Sequence, residues 1–346
     1  MKELLAIVAA RRAAPDLPFA LATVVGVTGS SYRRPGARML IGSAGRVTGS
    51  VSGGCLEEDI IAHGQRVIAS GENHVAVYDT AREEDLIFGS GLGCQGRIEI
   101  LIEALPPAAP WLLAEVVQHV QKTRAAMPMM TLVRAGAPPS VGLNMIAAAG
   151  SAGPFPRRES LEGPDGAADV FIERIVPPRA LVVFGAGPDV PPLVRIAREL
   201  GHHITIVDRR PAITAEAFPE ADVFICARPA QLGARLRLEA ESAVVIMNHH
   251  YETDREALEL VLQHRVAYIG MLGPRKRTNR ILDELAKRGA QFSAAELSPL
   301  HAPAGLDLGS ESPEQIALSI LAEMQASVTG RTAGKLRSRS APINAP

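Results

Sequence analysis

From Arg179 onward the chain repeats one pattern: a short apolar run, a turn, then an amphipathic stretch. That repetition restricts the fold more than any other feature. Ala180 to Phe184 reads as a strand ending in Gly185-Ala186-Gly187, and the next segment puts Val190, Leu193, Val194, Ala197 and Leu200 on one helical face. His203 to Val207 is a second strand, closed by Asp208. Asp222 to Cys226, Ala243 to Met247 and Val266 to Met271 are later strands, with helices expected between them. Strands alternating with helices at this spacing predict a doubly wound parallel sheet, so this half is Rossmann-like. A last helix, from Pro313 to Ser327, opens with Ser312 as cap, Pro313 in the first turn and Gln315 completing a capping box.

The first half predicts a mixed α/β domain. An amphipathic N-terminal helix leads to a strand over Phe19 to Val27. A hairpin follows, Met39 to Ile41 and Arg46 to Val51, with Ser43-Ala44-Gly45 at its tip. A helix then runs to Ser70 and stops before Gly71. His74 to Tyr78, Asp85 to Phe88 and Arg97 to Glu103 read as strands and Trp111 to Lys122 as a helix. Met129 to Arg134, Val141 to Ala148 and Asp169 to Ile175 are further strands, whereas Gly150 to Ala168 reads as a loop or linker. At 346 residues the chain is long for one core. Pro177-Pro178 marks the junction between a domain over 1–176 and the Rossmann-like domain over 177–330. The basic, Pro/Ser-rich residues 331–346 are expected to be disordered.

Composition narrows the function classes. Aromatic residues make up 4% and the formal net charge is −1, which argues against a base-stacking surface, nucleic acid or an anionic membrane as partner. No apolar run reaches membrane-spanning length. Three widely spaced cysteines fit neither a disulfide framework nor a four-cysteine zinc site, and the expectation is a cytoplasmic protein with reduced thiols. A homodimer is the commonest assembly for such a chain.

Two glycine-dense turns carry the other cysteines. In GSVSGGCLEED, Ser52 is expected to cap a helix whose first turn holds Cys55, after Gly53 and Gly54. Free N–H groups and the helix dipole there would favour an anion and push a thiol towards thiolate, a nucleophile and metal ligand. The alternative is a tight turn before a small buried thiol. Cys94, followed by Gln95, lies in GSGLGCQGRIEILIEAL, just before a strand. Arg33, Arg34 and Arg38 surround Pro35-Gly36 and form either a solvated basic loop or an anion clamp.

The dinucleotide fingerprint is incomplete. Gly185, Gly187 and Asp208 fit it, but Val190 takes the third glycine position. Prolines at 188, 191 and 192 remove N–H donors from the helix start, and Asp189 competes for its dipole. Asn248-His249-His250 with Asp254 also follow a strand end; structural or ligand-contacting roles suit them better than a metal site, which needs more ligands. Arg275-Lys276-Arg277 follow the next strand and start a helix, either as a solvated helix start or facing a phosphate.

The chain resembles the XdhC/CoxI family of maturation factors for molybdenum hydroxylases such as xanthine dehydrogenase. The similarity lies in GSSYRRPGARML, GSVSGGCLEED, GLGCQGRIEILIE, VVFGAGPDVPPLVRIARELGHHITIVDRRP, YIGMLGPRKRT and LHAPAGLDLGSESPEQIALSILAE, in order along nearly the whole chain. The resemblance implies a chaperone that binds molybdenum cofactor, with or without a nucleotide tail. It also implies assisted sulfuration with a cysteine desulfurase and delivery to an apo molybdenum hydroxylase. Cys55 and Cys94 then suit the metal and its sulfur ligands, and Arg33, Arg34, Arg38, Gly53 and Gly54 suit the anionic parts. Gln95 departs from the glycine found in many relatives. An NAD(P)-dependent oxidoreductase acting through Gly185, Gly187 and Asp208 is the competing reading.

Overall fold

The computed structural model describes residues 1–29, 31–54, 56–79, 96–134, 141–147, 154–163 and 166–340. The chain divides into two compact units, Met1–Pro177 and Pro178–Pro346. The expected strand over Asp85 to Phe88, the residues Cys55, Cys94 and Gln95, and the tail beyond 340 lie outside the described residues.

The first unit is built on β1 (Phe19–Gly29), the middle strand of a five-stranded sheet. Beside it lie β2 (Arg38–Gly42) and β3 (Gly45–Gly49) on one side and β5 (Gly96–Leu105) and β4 (His74–Asp79) on the other, all antiparallel. The run FALATVV is apolar throughout because both faces of β1 are covered. Phe19 and Leu21 pack with Ile7 and Val8 of α1 (Lys2–Ala13) and with Leu113, Val116, Val117 and Val120 of α3 (Leu112–Thr123). Ala20, Ala22 and Val24 face Ile60 and Val67 of α2 (Glu57–Ser70). On that face the contact is close: a Cβ on Gly64 of α2 would stand 2.6 Å from Cδ1 of Ile41.

A second sheet of this unit has the order β7-β6-β9-β8, made of β6 (Met127–Arg134), β7 (Asn144–Ile146), β8 (Arg157–Gly163) and β9 (Gly166–Ile175). Here the expectation of a loop over Gly150 to Ala168 fails, because β8 and the start of β9 form an antiparallel pair. As an edge strand, β8 is polar (RRESLEG) and carries no apolar alternation to reveal it.

The second unit has a six-stranded parallel sheet in the order β12-β11-β10-β13-β14-β15. Its strands are β10 (Ala180–Phe184), β11 (His203–Asp208), β12 (Val223–Cys226), β13 (Ala243–Ile246), β14 (Tyr268–Met271) and β15 (Leu300–His301). Numbered within the unit this is 3-2-1-4-5-6, the Rossmann order. One face packs on α4 (Val190–Glu199) and α7 (Pro313–Val328), the other on α5 (Tyr251–Leu262) and α6 (Arg275–Lys287). The capping box of Ser312 and Gln315 is formed. Two expected helices are absent: 3-10 turns alone, Ala215–Ala217, then Pro229–Gln231 and Gly233–Arg235, join β11 to β12 and β12 to β13. Pro211, Pro219, Pro229 and Gly233 interrupt both connections.

Candidate functional site

The turn between β3 and α2 is fixed by backbone requirements and by Ser50. Gly49 has φ +84°, and a Cβ there would fall 2.3 Å from the Arg38 carbonyl oxygen. The Ser50 N–H donates to Glu3 Oε1 at 3.1 Å, and its hydroxyl donates to Glu57. The N–H of Gly53 donates to Ser50 Oγ at 3.3 Å. Contrary to expectation, Ser52 does not cap the helix. Its Oγ accepts from the N–H groups of Gly54 and Leu56, at 3.3 and 3.1 Å, and α2 starts later, at Glu57.

That shift changes the electrostatics. The first turn of α2 consists of Glu57, Glu58 and Asp59, so the positive end of the dipole already faces three carboxylates. A helix start of this kind does not attract an external anion. Sequence reasoning missed this by reading the glycines before the helix and passing over the acids inside it.

The arginine cluster separates into three fates. Arg38 is buried and ion-paired with Glu173 of β9, and its Nη1 donates to the Gly36 carbonyl at 3.0 Å. It is a structural residue, held in a buried ion pair, and so does not serve the expected anion clamp. Arg33 pairs with Glu3 and donates from Nε to the Ser50 carbonyl at 3.1 Å, so it ties its loop to the β3–α2 turn. Arg34 is exposed, and its guanidinium has no partner among the described residues. Tyr32, 70% exposed, lies over Gly53, whose Cβ would meet the ring at 2.4 Å. For Gly54, in contrast, nothing among the described residues lies within 4 Å of a notional Cβ. The two sequence motifs therefore meet at Tyr32 and Gly53, with Arg34 uncommitted and Gly54 open.

Behind this loop region lies a buried polar relay. Glu103 of β5 accepts from Asn144 Nδ2 at 2.7 Å, and Asn144 Oδ1 accepts from Thr131 Oγ1 at 2.6 Å. Burial pushes the Glu103 carboxyl up to about 7, against the pull of the Asn144 hydrogen bond and Arg38.

In the second unit, Gly185 and Asp208 share one edge of the sheet, as a fingerprint requires; the N–H of Gly185 donates to Val207 at 2.8 Å. Gly185 has φ +124°, and a Cβ would lie 2.6 Å from the Met247 carbonyl oxygen, so only glycine fits. Gly187 is under no such constraint; its notional Cβ meets His249 at 3.7 Å. His249 Nε2 stands 3.1 Å from Asp189 Oδ2, beside the start of α4. Asp208 is buried and accepts from Nε, Nη2 and the backbone N–H of Arg210, at 2.9, 2.8 and 2.9 Å. Burial alone would raise its carboxyl, but the Arg210 bonds and the Ala186 N–H outweigh that and hold it below the usual range. His250 caps α5, accepting from the Thr253 N–H, and Asp254 bonds Asn248 and pairs with Arg277 at 2.5 Å, which gives all these residues structural employment. Among the described residues no group of three or more His, Cys, Asp or Glu could hold a metal ion. No helix there is long and apolar enough to cross a membrane.

Comparison with known proteins agrees with this division. The family model described as the XdhC Rossmann domain matches residues 181–324, and that of the XdhC and CoxI family matches 13–79. A Bacillus subtilis (strain 168) protein named as a probable component of xanthine dehydrogenase is 33% identical over 320 residues, 88% of this chain and 91% of that one. The Escherichia coli (strain K12) molybdenum cofactor insertion chaperone PaoD is 22% identical over 311 residues, 88% of this chain and 81% of its own. A Bacillus halodurans protein, whose crystal structure is described as that of a xanthine dehydrogenase, superposes with a TM-score of 0.76 at 29% identity, covering 98% of both chains. By the similarity of sequence along nearly its whole length, the chain belongs to the XdhC and CoxI family.

Proposed function

We propose that the protein is a maturation factor for a molybdenum hydroxylase of the xanthine dehydrogenase type. In this reading it binds molybdenum cofactor as cargo in the first unit, assists its sulfuration together with a cysteine desulfurase, and delivers it to the apo-enzyme, working in the cytoplasm as a homodimer. The roles that the relatives' names give them support the general task. The observation that carries the site is the meeting of Tyr32 with Gly53, which joins the loop that bears Arg34 to the turn that bears Gly54. Residues 53–55, with Cys94 and Gln95, are the proposed surroundings of the cargo. The guanidinium of Arg34 suits its anionic groups and the thiols suit its metal. Arg33 acts through the loop it braces.

The test is purification from a molybdenum-replete host, with bound pterin identified by mass spectrometry and metal by elemental analysis. Stoichiometric pterin that is lost in Arg34→Met supports the site. Full activation of a client hydroxylase by both Cys55→Ala and Cys94→Ala removes the cysteines from it. The competing oxidoreductase reading has less support, since Asp208 is already held by Arg210.

A further inference from the structure

A cavity of about 270 Å³ opens in the first unit. Its charged lining is three arginines, Arg97, Arg157 and Arg158, against one carboxylate, Glu99. Val25, Val27, Pro35, Pro156 and Phe171 supply apolar walls. At the cavity wall the β1–β5 pairing shifts register between Val24 and Gly26. At that irregularity Gly26 offers no side chain, and the guanidinium of Arg158 passes within 3.4 Å of where a Cβ would stand.

The carboxylates nearby do not use up the donors. Glu99 is shared between Arg97, at 3.1 Å, and Arg158, which also reaches Asp169 at 3.4 Å. Arg157 donates from Nε to Glu159 at 2.6 Å, and its guanidinium stacks 4.9 Å over the Phe155 ring. These two contacts fix the group, yet its Nη1 is buried with no hydrogen-bond partner among the described residues. A buried, immobilised, charged donor without an acceptor is costly unless a ligand completes it. In a partly apolar cavity the acceptor that matches this remaining nitrogen is an oxyanion, and the arginine fork suits phosphate in particular. The volume exceeds that of a phosphate, and the apolar walls suit the organic body that carries it.

We infer that this cavity is a phosphate-binding pocket in which Arg157 Nη1, with Arg97 and Arg158, receives the phosphate or pyrophosphate group of a phosphorylated organic ligand. The pocket stands independently of the cargo reading, although a phosphorylated pterin is one source of such a group and a free nucleotide is another.

The test is calorimetry with inorganic pyrophosphate on the full chain, with amide chemical-shift mapping to locate the site. Binding is expected, with shifts centred on Gly26 to Thr28 and Arg157-Arg158. Arg157→Lys keeps the charge, loses Nη1, and is expected to weaken binding about tenfold or more. Arg97→Gln, at a half-exposed position that tolerates change, is expected to weaken it severalfold. Arg210→Met, in the other unit, should bind like wild type. The inference is overturned by absence of binding in the wild type. It is equally overturned if folded Arg157→Lys and Arg97→Gln bind like wild type, or if Arg210→Met alone loses binding. Competition then separates the sources: displacement of pyrophosphate by mononucleotides indicates a nucleotide phosphate, and displacement by a pterin phosphate alone indicates cargo. Pterin content without pyrophosphate binding would remove the pocket and leave the maturation role; the reverse would remove the role and leave the pocket.

Discussion

Arg210 donates from Nε and Nη2 to the two carboxylate oxygens of Asp208, at 2.9 and 2.8 Å, and so occupies the group that a dinucleotide fingerprint gives to a ribose. Calorimetry with NAD and with NADP should therefore give no heat on the wild-type protein. Micromolar binding abolished by Asp208→Ala would reverse that reading and restore the oxidoreductase.

The same pair carries a pH signature. The Asp208 carboxyl is lower in the folded state than when unfolded. Its stabilisation is therefore complete above the unfolded value, about 3.9, and is lost as the pH falls through the folded one. Arg210 is half-exposed, so solvent limits the contribution to about 1 kcal/mol or less. Thermal midpoints of wild type and Arg210→Ala should differ at pH 6 and converge well below pH 4.

Glu103 behaves in the opposite sense. A carboxyl whose folded value is raised, here to about 7, takes up protons preferentially in the native state. Stability then declines as the pH rises from about 4.3 towards the folded value, and the penalty is complete beyond it. Glu103→Gln keeps an oxygen for Asn144 and avoids the buried charge. Urea unfolding at pH 8.5 should show the variant more stable by about 1–3 kcal/mol, with the difference vanishing at pH 4. Equal stability at both pH values would mean that Arg38 neutralises the charge.

Arg38 and Arg34 are four residues apart and should respond very differently to methionine. Removing Arg38 strands Glu173 in the interior, a loss of about 3–5 kcal/mol by analogy with other broken buried pairs. Arg34→Met should leave the unfolding midpoint within experimental error and lower the pterin content. A stable Arg38→Met protein would show that Glu173 finds another partner or takes up a proton.

Gly53 is constrained twice, by φ +78° and by the Tyr32 ring. Gly53→Ala should cost about 1 kcal/mol from the backbone alone, plus a contact penalty. Tyr32→Ala in the same chain should recover the contact part and leave the backbone part, which a double-mutant cycle of thermal midpoints can read. Purely additive effects would show that the ring swings aside freely.

The sequence made the second unit legible because its central strands β10, β13 and β14, buried on both faces, are unbroken apolar runs that length and flanking glycines identify, whereas the two-residue edge strand β15 was too short to read. It misled where no periodicity is needed. Pro211 and Pro229 open connections that spacing alone suggested were helical, and β8 is an edge strand with polar residues on both faces. At the candidate site the motifs were visible, yet their partners were not. Nothing local to Arg38 announces Glu173, which lies far along the chain on another sheet, and Asp208 conceals Arg210 only two residues away because the pairing depends on a side-chain turn. The unpartnered nitrogen of Arg157 had no sequence signal, since it depends on how Glu159 and the Phe155 ring hold the guanidinium.

Gly64 shows how far from the site its geometry is decided. The missing methyl lets α2 settle directly onto Ile41, two turns downstream of Glu57. The helix thus behaves as a lever whose fulcrum is a single vacant atom position. Enlarging that residue would lift the whole rod from the sheet, drag the Ser50–Glu57 bond with it, and move the loop at Gly53 and Gly54 without altering any residue in it. The mouth of the candidate site is therefore set by the fit of the hydrophobic interior, and core substitutions belong in any search for variants that alter cargo handling.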